Sequence, residues 1–118
     1  MSAEQRLYCQ DILERIQRIE SSVSTGHEAF VQSHVLQDAI ILNFIVIGEA
    51  TKNLDAALTQ QHPHIQWRSI AGFRDILIHQ YRRTRLELVW RTAQEELPAL
   101  KSAMVAILDS LDDPNSAS

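Results

Sequence analysis

Ala39-Ile40-Ile41-Leu42-Asn43-Phe44-Ile45-Val46-Ile47 is apolar on every side except for one amide. Whether this run is a strand, a membrane span or a helix decides the fold. Its β-branched residues suit a buried strand. A membrane span needs about twenty apolar residues, whereas this run is cut by Asn43 and bounded by Asp38 and Glu49. Beyond it in both directions, Val35, Ala39, Leu42, Val46, Ala50, Leu54 and Leu58 keep a spacing of three and four, far past strand length. Length therefore predicts a helix from about His27 to Gln60, its middle covered by neighbours or by a second subunit. Gly48 lies inside it at a cost of about 1 kcal/mol relative to Ala, which points to close approach of another backbone. Glu49, next to it, is expected to be solvated or matched by an Arg.

On the N-terminal side, Cys9, Ile12, Leu13, Ile16, Ile19 and Val23 form one stripe of an amphipathic helix from Glu4 to about Ser22. Ser21-Ser22-Val23-Ser24-Thr25-Gly26 ends it, and Thr25 with Glu28 has the spacing of a capping box for the next helix. On the C-terminal side, Gln60 to Gln66 is a connection marked by Pro63. His62 and His64 flank that proline without a nearby Cys or carboxylate to complete a metal ligand set, and His27 and His34 are expected on helix surfaces. A third helix is predicted from Trp67 to His79 or Tyr81, on Trp67, Ile70, Ala71, Phe73, Leu77 and Ile78. A fourth, from about Thr84 to Leu108, carries Pro98, which should kink it or split it in two.

With 118 residues, 3 Gly and 3 Pro, the chain has too little turn chemistry for a sandwich or barrel. The fold class is all-α: an up-down bundle of four to five helices in one domain over 1–110, with a frayed tail over 111–118. The single Cys9 forms no internal bridge, and Met1 to Arg6 lacks a signal-peptide pattern, so the expected location is cytoplasmic, with no membrane. A net charge of -4 argues against a generic nucleic-acid coat, yet Arg68 to Arg91 holds six Arg against two acids. Such a zone is a local anion site in an acidic protein.

That zone contains Gly72-Phe73-Arg74-Asp75-Ile76-Leu77-Ile78-His79-Gln80-Tyr81, which brings Arg74, His79 and Tyr81 within eight residues. Arg is a permanent cation whose planar fork fits a phosphate, and His exchanges protons near neutrality. No ligand set for a metal and no cofactor motif accompanies them. On a straight helix Arg74 and His79 point about 140° apart, whereas Asp75 lies one turn from His79, within reach to orient its imidazole. For Arg74 and His79 to converge, either the helix end is irregular or a second copy contributes across a two-fold axis. The ordinary reading of an Arg and a His near a helix end, and of Arg82-Arg83-Thr84-Arg85, is a solvated surface. Physics alone stops at a helical bundle with a localised anion site.

The residues carry a resemblance beyond that. Arg74-Asp75-Ile76-Leu77-Ile78-His79 is similar to the motif of the HEPN superfamily, an Arg, a polar residue, a few apolar residues and a His. His79-Gln80-Tyr81 resembles the extension found in its HepT-like members, and Ile47-Gly48-Glu49-Ala50, Trp67 to Gly72 and Val89-Trp90 are similar to further pieces in the same order. Two departures stand out: Arg82-Arg83-Thr84-Arg85 replaces an aromatic-glycine turn with an acidic residue, and Asp75 stands where Asn is common. The resemblance implies a two-fold dimer and a metal-independent endoribonuclease toxin of a type VII toxin-antitoxin system. In it Arg74, His79 and Asp75 are catalytic, Arg82, Arg83 and Arg85 hold RNA phosphates, and a minimal nucleotidyltransferase antitoxin transfers AMP to Tyr81. The competing expectation is a helical dimer that binds the nucleotidyltransferase or another partner without catalysis, since a fold does not fix an activity; a weaker one is a nucleotide-binding helical protein.

Overall fold

The computed structural model describes residues 2–80, 83 and 85–112, and every regular element among them is helical. In order these are α1 (Ala3–Val23), α2 (His27–Gln32), α3 (His34–Lys52), α4 (Ala56–Thr59), α5 (Trp67–His79), α6 (Leu86–Glu95) and α7 (Leu97–Asp112). They form an elongated bundle of 50 × 27 × 23 Å. The apolar run is a helix, and it is central: α3 packs most extensively on α5 and α1, and α1 packs in turn on α7.

The helix predicted from His27 to Gln60 is three helices. Ser33 is extended (φ -118°, ψ 107°) and its hydroxyl accepts from Leu36 N at 3.2 Å, which stops α2 and caps α3. A serine at a helix start competes with helix continuation in this way. Thr25 does not form the expected capping box. Its hydroxyl donates to Ser22 O (2.7 Å) and so closes α1, while Gly26 takes the N-cap of α2 at φ +100°, a conformation side chains disfavour. Pro98 splits the fourth helix: α6 ends at Glu95, and the proline becomes the second residue of α7, where its missing N–H removes no intrahelical bond. α7 also runs through Asp112, so the first two residues of the expected tail are helical; residues 113–118 lie outside the described residues.

The face of α3 also differs from expectation. Its buried residues are Ile40, Asn43, Phe44, Ile47, Gly48, Ala50 and Thr51, whereas Val35 and Leu42 are 67% and 56% exposed. In a run apolar all round, periodicity identifies the helix but cannot rank its faces. By length and composition alone α3 would pass for a membrane span; in the bundle it is seated between α1 and α5, with 39% of that stretch buried.

Two buried amides fix the register of α1 against α3, which run antiparallel. Arg15 Nη1 donates to Asn43 Oδ1 (3.2 Å), and Asn43 Nδ2 donates to Ala39 O (2.8 Å). Gln5 Nε2 donates to Asn53 O (2.9 Å) while its Oε1 accepts from Asp55 N (2.8 Å), so one side chain satisfies both backbone groups where α3 ends. Gln5→Ala is expected to cost about 1–3 kcal/mol, because it strands both groups in a largely buried place. A thermal melt showing no loss of stability would mean that water replaces the amide.

The core gathers Ile12, Ile16, Ile19, Phe30, Ile40, Ile47, Leu100 and Met104 around the same interior as Cys9, which is fully buried. Burial pushes the Cys9 thiol up, which keeps it protonated and unreactive. Native protein is therefore expected to react with a disulfide reagent only as fast as it opens, and denatured protein at once; fast labelling in native buffer would contradict this packing. Away from the core, His27 Nε2 lies 2.7 Å from Glu87 Oε1 and edge-on to Trp90, so this histidine ties α2 to α6 instead of standing free.

Candidate functional site

α5 is fixed first at its start. Trp67 Nε1 donates to both Thr59 O and His62 O (3.0 Å each), which binds the connection before the helix to its first turn. One turn and a half later Phe73 meets Phe44 of α3 edge-on, with ring centroids 5.2 Å apart. Phe73 and Leu77 are the buried residues of α5, and Arg74 follows Phe73 at the seam with α3. There Gly48 lets the two backbones close up: a Cβ at position 48 would collide with Arg74 Cβ and come within 3.3 Å of Ile70 O. The close approach expected at Gly48 is thus made by α5, at Arg74 itself.

The Arg74 head is held by carboxylates from both helices. Its Nε lies 2.9 Å from Glu49 Oε2, and its Nη1 donates to Asp75 Oδ1 at 3.1 Å. The Nε is buried yet not aligned with the carboxylate as a hydrogen bond requires, so the Glu49 contact is charge pairing. The side chain as a whole is 27% exposed, and Nη2 has no partner among the described residues. The Arg that Glu49 was expected to meet is therefore the Arg of the motif. Tyr8 of α1 borders the same acidic setting. Its hydroxyl donates to Glu4 Oε1 (2.9 Å); that bond raises the phenol above its usual range, and the charges of Glu4 and Glu49 add to the effect.

Asp75 has a different partner from the one its spacing suggested: its carboxylate meets Arg74, and it makes no hydrogen bond to His79. His79 is the last residue of α5, exposed and without a hydrogen bond or ion pair among the described residues. The helix is regular to that point, with Gln80 N donating to Ile76 O at 2.9 Å. Arg74 and His79 of one chain therefore diverge by about 140° and are offset by about 7.5 Å along the axis. Tyr81 and Arg82 lie outside the described residues. Arg83 and Arg85 are exposed, Arg83 in a turn closed by its N–H on Gln80 O (2.7 Å) and Arg85 at the N-cap of α6. The basic zone is thus on the surface where it is described, next to the end of α5.

An apolar groove of about 340 Å³ runs between α3, α5, α6 and α7, lined by Phe44, Ile47, Ile70, Phe73, Ile76 and Leu100 among others; neither Arg74 nor His79 lines it. Of the site, the sequence left Glu49 open and gave no sign of Tyr8. Glu49 was legible only through its neighbour: a glycine inside an apolar helix signals a close approach, and the carboxylate beside it then faces whatever approaches.

Comparison with known proteins joins these residues to a family. The family model described as "Ribonuclease HepT-like" matches residues 12–107. A protein of Thermococcus cleftensis named probable ribonuclease HepT is 36% identical over 102 residues, which are 86% of this chain and 93% of that protein. A provisionally named RNase of Caldanaerobacter subterraneus is 35% identical over 100 residues, 85% of this chain and 84% of its own. A longer Methanocaldococcus jannaschii protein, named for a gamma-glutamylcyclotransferase and a provisional RNase, is 37% identical over 113 residues; the match takes in 95% of this chain and 51% of that one. No solved structure matches the chain significantly. A match over most of the chain, together with relatives of similar length, shows that the chain belongs to the HepT-like family of ribonucleases.

Proposed function

We propose that the chain is a metal-independent endoribonuclease that acts as a two-fold dimer. It would be the toxin of a type VII toxin-antitoxin system, and its nucleotidyltransferase partner would silence it by transferring AMP to Tyr81. The observation that carries the reading is the placement of Arg74 and His79. Arg74 is anchored at the close seam of α3 and α5 beside Gly48, and His79 stands exposed at the end of the same regular helix. With α5 regular through His79, no irregularity within the helix brings the two groups together, which supports a second copy as the source of the other group. Two α5 helices facing each other across a two-fold axis would set each His79 toward the partner's arginine.

The chemistry follows from the groups. His79 takes the proton of a ribose 2′-hydroxyl, whose oxygen attacks the adjacent phosphorus; the bond from phosphorus to the 5′-oxygen breaks, and that oxygen accepts a proton. Arg74 holds the phosphate and the charge that builds on it. The 2′-hydroxyl as nucleophile restricts the substrate to RNA. Arg82, Arg83 and Arg85 hold flanking phosphates, a contribution that fades with salt. AMP on Tyr81, two residues beyond His79, brings a bulky anion to the place the RNA must occupy.

The test is cleavage of mixed RNAs by purified, unmodified protein with EDTA present, followed by the same assay after incubation with the nucleotidyltransferase and ATP. Cleavage in EDTA that is lost on modification, and kept by Tyr81→Phe, is the expected result. A folded protein that cuts no RNA while binding the nucleotidyltransferase would instead favour a non-catalytic docking dimer. The double pairing of Arg74 with Glu49 and Asp75 is the one observation on that side.

A further inference from the structure

Arg74 is held by α3 at both ends of its side chain, its stem against Gly48 and its Nε beside Glu49. The two contacts come from consecutive residues, so the same turn of α3 sets where the arginine starts and which way its guanidinium faces. With Nε turned into the seam toward Glu49 and Nη1 on Asp75, Nη2 has no partner among the described residues. The pair gains little in stability, because Glu49 is 52% exposed and solvent screens it. We infer that Glu49 is a positioning residue: it fixes the Arg74 guanidinium so that its Nη edge meets the scissile phosphate, and it acts on the substrate only through Arg74.

This rests on Arg74 being the phosphate-binding group, and it makes a prediction whose sign opposes simple electrostatics. Removing a carboxylate from beside an anion site should, by charge alone, tighten the binding of a polyanion. If Glu49 positions Arg74, removing it weakens binding and slows cleavage, because a misplaced group forfeits up to about 100-fold in rate. Asp75 does not replace it, since it belongs to α5 and moves with Arg74, whereas Glu49 ties the head to the neighbouring helix.

The experiment compares wild type, Glu49→Ala and Glu49→Gln, all with matched circular dichroism and melting. Three readings are taken: single-turnover cleavage of RNA, affinity for an uncleavable 2′-deoxy oligonucleotide, and the side-chain Nε–H resonance of Arg74 in isotope-labelled protein. The expected result is a roughly 10- to 100-fold slower Glu49→Ala, with weaker oligonucleotide binding and an Arg74 resonance that exchanges faster with water. Because the contact is charge pairing, Glu49→Gln, which keeps the size of the side chain and an oxygen but not the charge, should lose nearly as much as Glu49→Ala in all three. An Ala variant that cleaves or binds as well as wild type or better, with the resonance unchanged, overturns the inference and makes Glu49 a bystander or a competitor of the phosphate. If wild type cuts no RNA, the ribonuclease reading fails by itself; oligonucleotide affinity and the Arg74 resonance still decide the role of Glu49.

Discussion

His79→Ala is expected to lower RNA cleavage by about 100- to 10,000-fold, the range for removing a positioned acid-base group. Its fold should be unaffected, since His79 is exposed at the end of α5 and makes no hydrogen bond or ion pair among the described residues. Arg74→Ala should lose a similar amount through the phosphate, with a small loss of stability from its stem at the seam. The informative preparation is the mixture. If one site combines Arg74 of one copy with His79 of the other, a dimer of the two variants has one site lacking both groups and one site lacking neither. Random mixing of equal amounts should then restore about a quarter of wild-type activity, because about half the dimers are mixed and each has one whole site. If both groups act within one chain, no mixing restores anything, and the convergence of two α5 helices is not how the site is built.

The fold was largely legible because the chain repeats its apolar residues at helical spacing nearly throughout, and because it has too few turn residues for any other class. The breaks were harder. Ser33 carries no proline or glycine to announce it, and only its extended backbone and its bond to Leu36 N divide α2 from α3. The buried face of α3 was illegible for a different reason: where every face is apolar, burial is decided by which neighbours arrive, and that information lies in α1 and α5. Arg74 and His79 were visible as chemistry-bearing types, and Gly48 as a close approach. That Gly48 and Arg74 belong to one place was not visible, because the link is a packing contact between residues 48 and 74. Asp75 shows the limit of spacing: helical geometry put it within reach of His79, but the adjacent guanidinium, a full positive charge, is the stronger partner for its carboxylate.

Gly48→Ala tests that packing contact at the one glycine of the three where an added carbon would meet a neighbour within 4 Å. Within a helix the change is ordinarily favourable by about 1 kcal/mol, and Gly72→Ala in α5, where nothing lies within 4 Å of the added carbon, should show that gain. At Gly48 the added carbon meets Arg74 Cβ, Ile70 O at 3.3 Å and Arg74 Cα at 3.4 Å. None of these atoms can swing aside as a flexible side-chain end would, so α5 has to move off α3. Overpacking of this kind costs about 1–3 kcal/mol, which reverses the propensity gain and should leave the variant at best as stable as wild type. The larger consequence is for the site, because the displaced group is the stem of Arg74: an ångström of movement there is worth about 100-fold in rate. Gly48→Ala should therefore lose activity far out of proportion to its loss of melting temperature, while Gly72→Ala melts higher and cleaves normally. Should Gly48→Ala also melt higher and cleave normally, the seam is looser than its geometry indicates, and neither the anchoring of Arg74 nor its orientation by Glu49 can rest on it.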